Sequence, residues 1–374
     1  MTATLALRTL LTLALALAAA ALCVWLRTPL PWMIGPLLAT AVVSVLGAPT
    51  HSWTPLRNAG QWAIGVALGL YFTPQVTALV LQLWWAILLG IAWALALGWA
   101  FGRWLHAGLV RRMPGSEAER RATSYFAGAI GGASEMTLLT EREGARTDLV
   151  ASAHSLRLLI VTVVIPFTFT YSGLHGADAT LPGARTVEPT GLLLLGLATL
   201  GGALLLQSTG RANPWFMGAL LVAMGLTMTG LELSAMPAFL VNAAQLVIGV
   251  SLGVRFRAEF VHTAPRWLAA VALGTVVMIL LCAAFAALLS WGTGLHWATM
   301  VLGTSPGGIA EMAITAKVLQ LGVPVVTAFQ VCRLVAVLIL VEPLYRRGWL
   351  RWGRAQRNRV HAQCMTSGFC ASSA

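Results

Sequence analysis

Acidic side chains are scarce in this sequence: 12 of its 374 residues are Asp or Glu, and charged residues of both signs make up only 10% of it. Soluble domains carry roughly 25% charged residues, so a soluble globular protein is excluded. The five cysteines (Cys23, Cys282, Cys332, Cys364 and Cys370) show no metal or redox spacing, which excludes a disulfide framework or a zinc module. The seven histidines are scattered, mostly in loops, and form no i,i+4 pair. An oxidising copper or iron centre needs clustered ligands, so no metal, cofactor or enzymatic redox chemistry is expected. What remains is apolar. Hydrophobic residues make up 58% of the chain, mean hydropathy is +0.80, and stretches of spanning length, about 20 residues, recur from end to end.

The net charge of +12 would suit a nucleic-acid binder. In a membrane protein, however, basic residues mark cytoplasmic loops, and no direct nucleic-acid contact is expected. The opening run to Trp25 has the look of a signal peptide, with one arginine, an apolar stretch and small residues. We expect it to be retained, because a repeat supplies it with a counterpart.

Three stretches recur in the same order. "PWMIGPLL" at 31–38 matches "PWFMGALL" at 214–221, "QWAIGVALG" at 61–69 matches "QLVIGVSLG" at 245–253, and "GGASEM" at 131–136 matches "GGIAEM" at 307–312. Arg157 and Arg333 follow the last pair at the same offset. Apolar spans are expected at 9–27, 29–47, 57–72, 76–102 and 148–171, then at 189–207, 213–231, 237–254, 267–291 and 323–345. The Glu motifs occupy segments at 123–141 and 296–316.

If each half has five crossings and a motif segment that returns to its own side, only Arg27, Arg185 and Lys317 fall outside, and Arg157 and Arg333 are buried. Every other basic residue is then cytoplasmic. Equivalent loops also exchange character: the basic "RFRAEFVHTAPR" at 255–266 answers the uncharged "FTPQ" at 72–75. That pattern fits two halves inserted in opposite orientations. Six true crossings per half would give parallel repeats, but would put the basic 255–266 loop outside. The expected fold is thus an all-α polytopic membrane protein of two inverted-topology repeats. Each has about five transmembrane helices and a broken or re-entrant Gly-Gly-x-x-Glu-Met segment. The repeats cover 1–175 and 189–345, with an external linker at 176–188, a basic cytoplasmic tail at 346–374 and both termini cytoplasmic.

The motifs carry the candidate site. Gly131, Gly132, Gly307 and Gly308 interrupt helix, and an open backbone at membrane depth is tolerated only inside protein or beside a water-filled cavity. A helix starting after such a break favours an anion at its N–H groups. An intramembrane carboxylate is by default a functional candidate, which marks Glu135 and Glu311. Arg157 and Arg333 lie too deep to snorkel, and the two glutamates are their expected partners, within a half or across the pseudo-symmetry axis. His154 shares a helical face with Arg157, and its repeat counterpart is Gln330. Ser134, Ser305 and Thr304 are candidate hydroxyl ligands, and Gln61 and Gln245 open the paired glycine-rich spans. Against this stands the plainer reading, in which the Glu–Arg pairs pin helices together and Gly65, Gly69, Gly249 and Gly253 are packing contacts.

As a set, the paired GG-x-x-EM segments, the following helices "HSLRLLIV" and "QVCRLVAV", and the duplicated PW-x-x-G and IGxxLG elements resemble the AbrB family of bacterial membrane proteins, over about residues 10–345. The resemblance implies an inner-membrane protein of about ten spans. Members are labelled either ammonia monooxygenases or regulators of gene expression, and neither label brings agreed site residues. The function expected is that of a secondary transporter moving a small polar or anionic metabolite, coupled to H⁺ or Na⁺, by alternating access. The alternative is a membrane-embedded regulator acting indirectly on gene expression. The partners expected are the lipid bilayer, the substrate and the coupling ion, with a homo-oligomer left open.

Overall fold

The computed structural model describes residues 3–110, 115–174, 176, 186–210, 213–256 and 265–349. The described chain is helical and has no strand. Its helices are α1 (Ala3–Trp25), α2 (Pro31–Val45), α3 (Thr54–Gly69), α4 (Pro74–Gln82), α5 (Trp84–Gly108), α6 (Glu117–Gly128), α7 (Ala133–Arg142) and α8 (Thr147–Tyr171). There follow α9 (Pro189–Ser208), α10 (Pro214–Met228), α11 (Ala238–Gly253), α12 (Pro265–Thr293), α13 (Trp297–Thr304), α14 (Ile309–Val318) and α15 (Val323–Leu344). Six of them, α1, α5, α8, α9, α12 and α15, are long and apolar enough to cross a bilayer. This is a polytopic membrane protein.

Two expectations need correcting. The single span expected at 76–102 is broken at Leu83. Pro74 starts the short helix α4, whose Val76 N–H donates to the Thr73 hydroxyl and whose axis is bent by 87° from α3, and α5 begins afresh at Trp84. At 25 residues and about 1.5 Å per residue, α5 is long enough to cross alone, so α4 is free to turn aside. Five full spans per half are also not found by length. Helices α2, α10 and α11 have only 15 or 16 residues, short of the ~20 that a hydrocarbon core requires. They bury much of their surface against other helices, while Val42, Leu221 and Phe239 face outward.

In these contacts, α2 packs chiefly on α11 and α3 on α10. Close approach depends on small residues. A Cβ on Gly249 would stand 2.5 Å from the Met33 carbonyl oxygen, and one on Gly253 2.7 Å from that of Leu37. On the matching surface, a Cβ on Gly65 would collide with the Phe216 carbonyl, and one on Gly69 would reach 2.9 Å from that of Leu220. The IGxxLG elements are therefore backbone-contact stripes of the kind that joins membrane helices. Outside these pairs, α1 and α9 turn leucines such as Leu10, Leu17, Leu193 and Leu197 outward.

The order of elements repeats. Pro31 and Pro214 open α2 and α10, and Gly69 and Gly253 close α3 and α11. Thr147 and Val323, 176 residues apart, open α8 and α15. The backbone repeats even where the side chains differ. Left-handed φ values recur at Leu30 and Asn213 (49° and 51°), at Arg27 and Gly210 (52° and 65°), and at Gly144 and Gln320 (63° and 53°). A non-glycine residue pays roughly 1–2 kcal/mol for that conformation, so Arg27, Leu30, Asn213 and Gln320 are held there by the helices that they join.

The start of α6 is held by local contacts. Ser116 and Glu119 form a capping box, and Glu117 pairs with Arg120 at 3.0 Å and Arg121 at 2.8 Å. Burial alone would raise the Glu117 pKa, but Arg120, Arg121 and His106 outweigh it and hold the carboxyl below its ordinary value. The rest of the basic tail and most of the 176–188 linker and the 255–266 loop lie outside the described residues.

Gly249→Ala should lower stability by about 1–3 kcal/mol, the usual scale for overpacking. Gly201→Ala and Gly225→Ala, whose Cβ atoms would meet open space, should be neutral or slightly stabilising. Thermal unfolding of the three purified variants in detergent checks both.

Candidate functional site

The two Gly-Gly motifs sit where one helix stops and another starts. Helix α6 ends at Gly128 and α7 begins at Ala133; α13 ends at Thr304 and α14 begins at Ile309. The last turn of α6 and of α13 leaves carbonyl groups without helical partners, at the negative end of the helix dipole. Arg157 closes the first set: Nη2 donates to the Ala129 carbonyl at 2.8 Å and Nη1 to that of Ala127 at 3.3 Å. Arg333 closes the second, with Nη1 on the Ser305 carbonyl and Nη2 on that of Gly307 at 2.8 Å.

His154 and Gln330 complete the two brackets in the same way. His154 Nε2 meets the Phe126 carbonyl at 2.9 Å, and its Nδ1 lies 2.6 Å from Arg157 Nη2. Arginine only donates, so Nδ1 accepts and the proton sits on Nε2. In the other half, Gln330 Nε2 donates to the Leu302 carbonyl at 2.7 Å, and its Oε1 accepts from Arg333 Nη2 at 2.5 Å. Imidazole and carboxamide thus perform one task, joining a guanidinium to the end of a broken helix.

This overturns the expected Glu–Arg pairing. Among the described residues, no ion pair joins Glu135 or Glu311 to Arg157 or Arg333. The physical reason is proximity to better partners at both ends. The guanidiniums find a fan of carbonyls on a helix C-terminus, while each glutamate occupies the third position of the helix that starts beyond the break, where free N–H groups favour a carboxylate.

The same geometry explains the sequence GG-x-x-EM. A Cβ on Gly132 would fall on Glu135 Oε2, and one on Gly308 on Glu311 Oε2. A Cβ on Gly131 would lie 2.8 Å from Met136 Cε, and one on Gly307 2.8 Å from Met312 Cγ. Each glycine leaves empty the space that its glutamate or methionine fills. Both methionines are fully buried.

Both breaks open on one cavity of about 480 Å³. Its walls include Glu135, Glu311, Arg157, Arg333 and His154, together with all four motif glycines. Ser305 is not in the wall: its hydroxyl is fully buried and turns to the Leu302 carbonyl and the Met312 sulfur, and only its carbonyl serves the site. Thr304 donates to Met300 inside its own helix. Gln61 lines the cavity, whereas Gln245 does not. The side chain of Ser134 lies outside the described residues.

A family profile described as "Transition state regulatory protein AbrB" matches residues 32–348, most of the chain. The chain belongs to the AbrB family. The protein of Bacillus subtilis (strain 168) named "Uncharacterized protein YhjN" is 26% identical over 343 residues, covering 84% of this chain and 86% of the relative. That of Escherichia coli (strain K12) named "Putative regulator AbrB" is 27% identical over 320 residues, covering 83% and 88%. No solved structure matches the chain.

Arg57 and Asn58 on α3, and Arg255 just beyond α11, also line the AbrB-family cavity, and reading the sequence for site residues missed them. Arg255 had been absorbed into the charge pattern that sets orientation. Arg57 stands one helical turn before Gln61, and that i,i+4 spacing was the available signal. A second hollow of about 830 Å³ adjoins the cavity, with Arg57, Ala133 and Arg255 lining both. Hydroxyls of Ser44, Thr50, Thr137 and Ser155 line its walls.

His154→Gln should keep the bracket, because Gln330 already does the same work, whereas His154→Leu strands the Phe126 carbonyl and one Arg157 donor. Each group left unpaired costs about 1–3 kcal/mol. Unfolding midpoints in detergent should therefore fall steeply for His154→Leu and stay near the parent for His154→Gln.

Proposed function

We propose that this AbrB-family chain is a secondary transporter that moves a small polar or anionic metabolite across the bacterial inner membrane. Its two repeats lie in inverted topology, with both termini cytoplasmic. The observation that carries the reading is one polar cavity at the meeting point of two broken helices, the usual location of a transported substrate. Glu135 and Glu311 are the carboxylates of that cavity, and they are the groups on which coupling to H⁺ or Na⁺ would rest. No oxygenase chemistry is invoked, because the walls offer carboxylates and guanidiniums in place of clustered imidazoles. Regulation, the sense of the family description and of the Escherichia coli relative's name, would follow at second hand from the changed level of the transported metabolite.

Alternating access gives the asymmetry between the halves a meaning. Helix α14 packs on α3, and Lys317 Nζ sits 5.9 Å from the centre of the Tyr71 ring. Helix α7 makes no comparable packing on α11 among the described residues. The 830 Å³ hollow, which reaches Thr137 on α7 and Arg255 after α11, occupies that place. In the inverted topology, Tyr71 and Lys317 close the outer side while the hollow opens to the cytoplasm. Exchanging the conformations of the two repeats transfers the Tyr71–Lys317 contact onto its counterparts, Arg255 and Glu141, which become an ion pair that closes the inner side.

The test uses a chain whose own cysteines have been replaced. The Glu141→Cys/Arg255→Cys pair should cross-link under mild oxidation, and should stop doing so once a Tyr71→Cys/Lys317→Cys pair has been locked. An inner pair that never reacts, or that reacts regardless of the outer lock, would overturn alternating access.

A further inference from the structure

The cavity is short of negative charge. Four guanidiniums, those of Arg57, Arg157, Arg255 and Arg333, face two carboxylates. Arg157 and Arg333 spend their donors on carbonyl groups, which satisfy hydrogen bonds but leave the charge in place. Arg57 and Arg255 spend nothing: among the described residues, neither side chain has a hydrogen bond or an ion pair within the protein. Arg57 Nε is nevertheless shielded from solvent and unpartnered, and so is Nε of Arg333, a residue only 6% exposed that lines the cavity. A guanidinium donor shielded from solvent without a partner is costly, and a cavity that holds two of them, beside a second half-buried arginine, is one prepared for an anion.

The position of the free pair adds a constraint. Arg57 and Arg255 line both the cavity and the hollow beside it, so they stand where the two spaces join. Arg255 feels the charge of Arg57 and also those of Glu135 and Glu311. Two guanidiniums at one passage repel each other until an anion bridges them. A single carboxylate can neutralise one and leaves the other unpaired, whereas a dianion answers both. Guanidiniums take carboxylates in bidentate fashion, and charge of one sign in a low-dielectric cleft concentrates the opposite ion. Across the cavity, Glu135 and Glu311 already occupy the first turns of α7 and α14, so the positive charge left for a ligand is that of the arginines.

We infer that the ligand of this cavity is a dianion, of the dicarboxylate class, and that Arg57 and Arg255 are the residues that distinguish it from a monoanion. The inference rests on the transporter reading only for what happens after binding. Binding itself is an equilibrium property of the purified chain.

The experiment is a thermal-shift and calorimetric titration of the full chain in detergent. The probes are malonate, succinate and glutarate, sulfate as a one-centre dianion, and acetate and butyrate as monoanions. A ligand selective for the folded state raises the melting temperature by mass action. A dicarboxylate should bind roughly tenfold or more tightly than butyrate, and Arg57→Gln and Arg255→Gln should each remove that advantage while leaving the unliganded melting temperature near the parent. Sulfate matching the best dicarboxylate would narrow the site to a single anionic centre and overturn the dicarboxylate assignment. Monoanions binding as well as dianions, no dianion binding at all, or an advantage that survives both substitutions would overturn the proposal as a whole. The cross-linking result is independent of these. Mutually exclusive cross-links with no dianion binding would leave the transporter standing and remove only its assigned ligand class.

Discussion

An arginine that caps a helix end from inside the membrane is the contact on which the rest of this molecule depends. Breaking a helix at bilayer depth exposes carbonyl groups that lipid cannot satisfy, and burying a guanidinium without partners is as unfavourable. Arg157 and Arg333 cancel one problem against the other. Once the carbonyl end of each break is closed, the amide end is free to face a water-filled space, and a cavity can form between two breaks without unravelling either.

That arrangement also separates the roles of the charged residues. The glutamates are not consumed as structural counter-ions, because the arginines already have partners, so Glu135 and Glu311 stay at the cavity wall as acceptors over their own helix starts. The arginines near the passage, Arg57 and Arg255, are likewise left unspent. Positive charge in excess is thus a property of the site, held in place by neutral backbone. Packing does the rest: α2 against α11 and α3 against α10, glycine faces to carbonyls, fix the walls across the cavity.

Much of this was legible in the chain, and the gaps have physical causes. The duplicated motifs located both breaks, and nine of the eleven candidate site residues line one cavity. The pairing of Arg157 and Arg333 was not legible, because their acceptors are main-chain carbonyls, which no residue type announces. The equivalence of His154 and Gln330 was hidden for a similar reason: the two share a hydrogen-bond pattern but not a composition. Hydropathy suggests ten similar spans, yet α2, α10 and α11 have only 15 or 16 residues, a length that the apolar runs in the sequence do not mark off. Arg57 and Arg255 were missed because a basic residue beside an apolar run reads first as an orientation signal, and only three-dimensional closure shows two such residues meeting at one passage.

The carbonyl brackets have a consequence for how such a chain can change over time. Phe126 and Ala129 accept in one half and Leu302 and Ser305 in the other, with no side chain in common. The acceptor partner of each arginine is written in the polymer and not in the alphabet of side chains. Substitutions along those stretches that keep the helix ending where it does are invisible to the bracket, while the arginine has no such freedom. Two halves can therefore differ in the residues that end α6 and α13 and still be closed by the same bond.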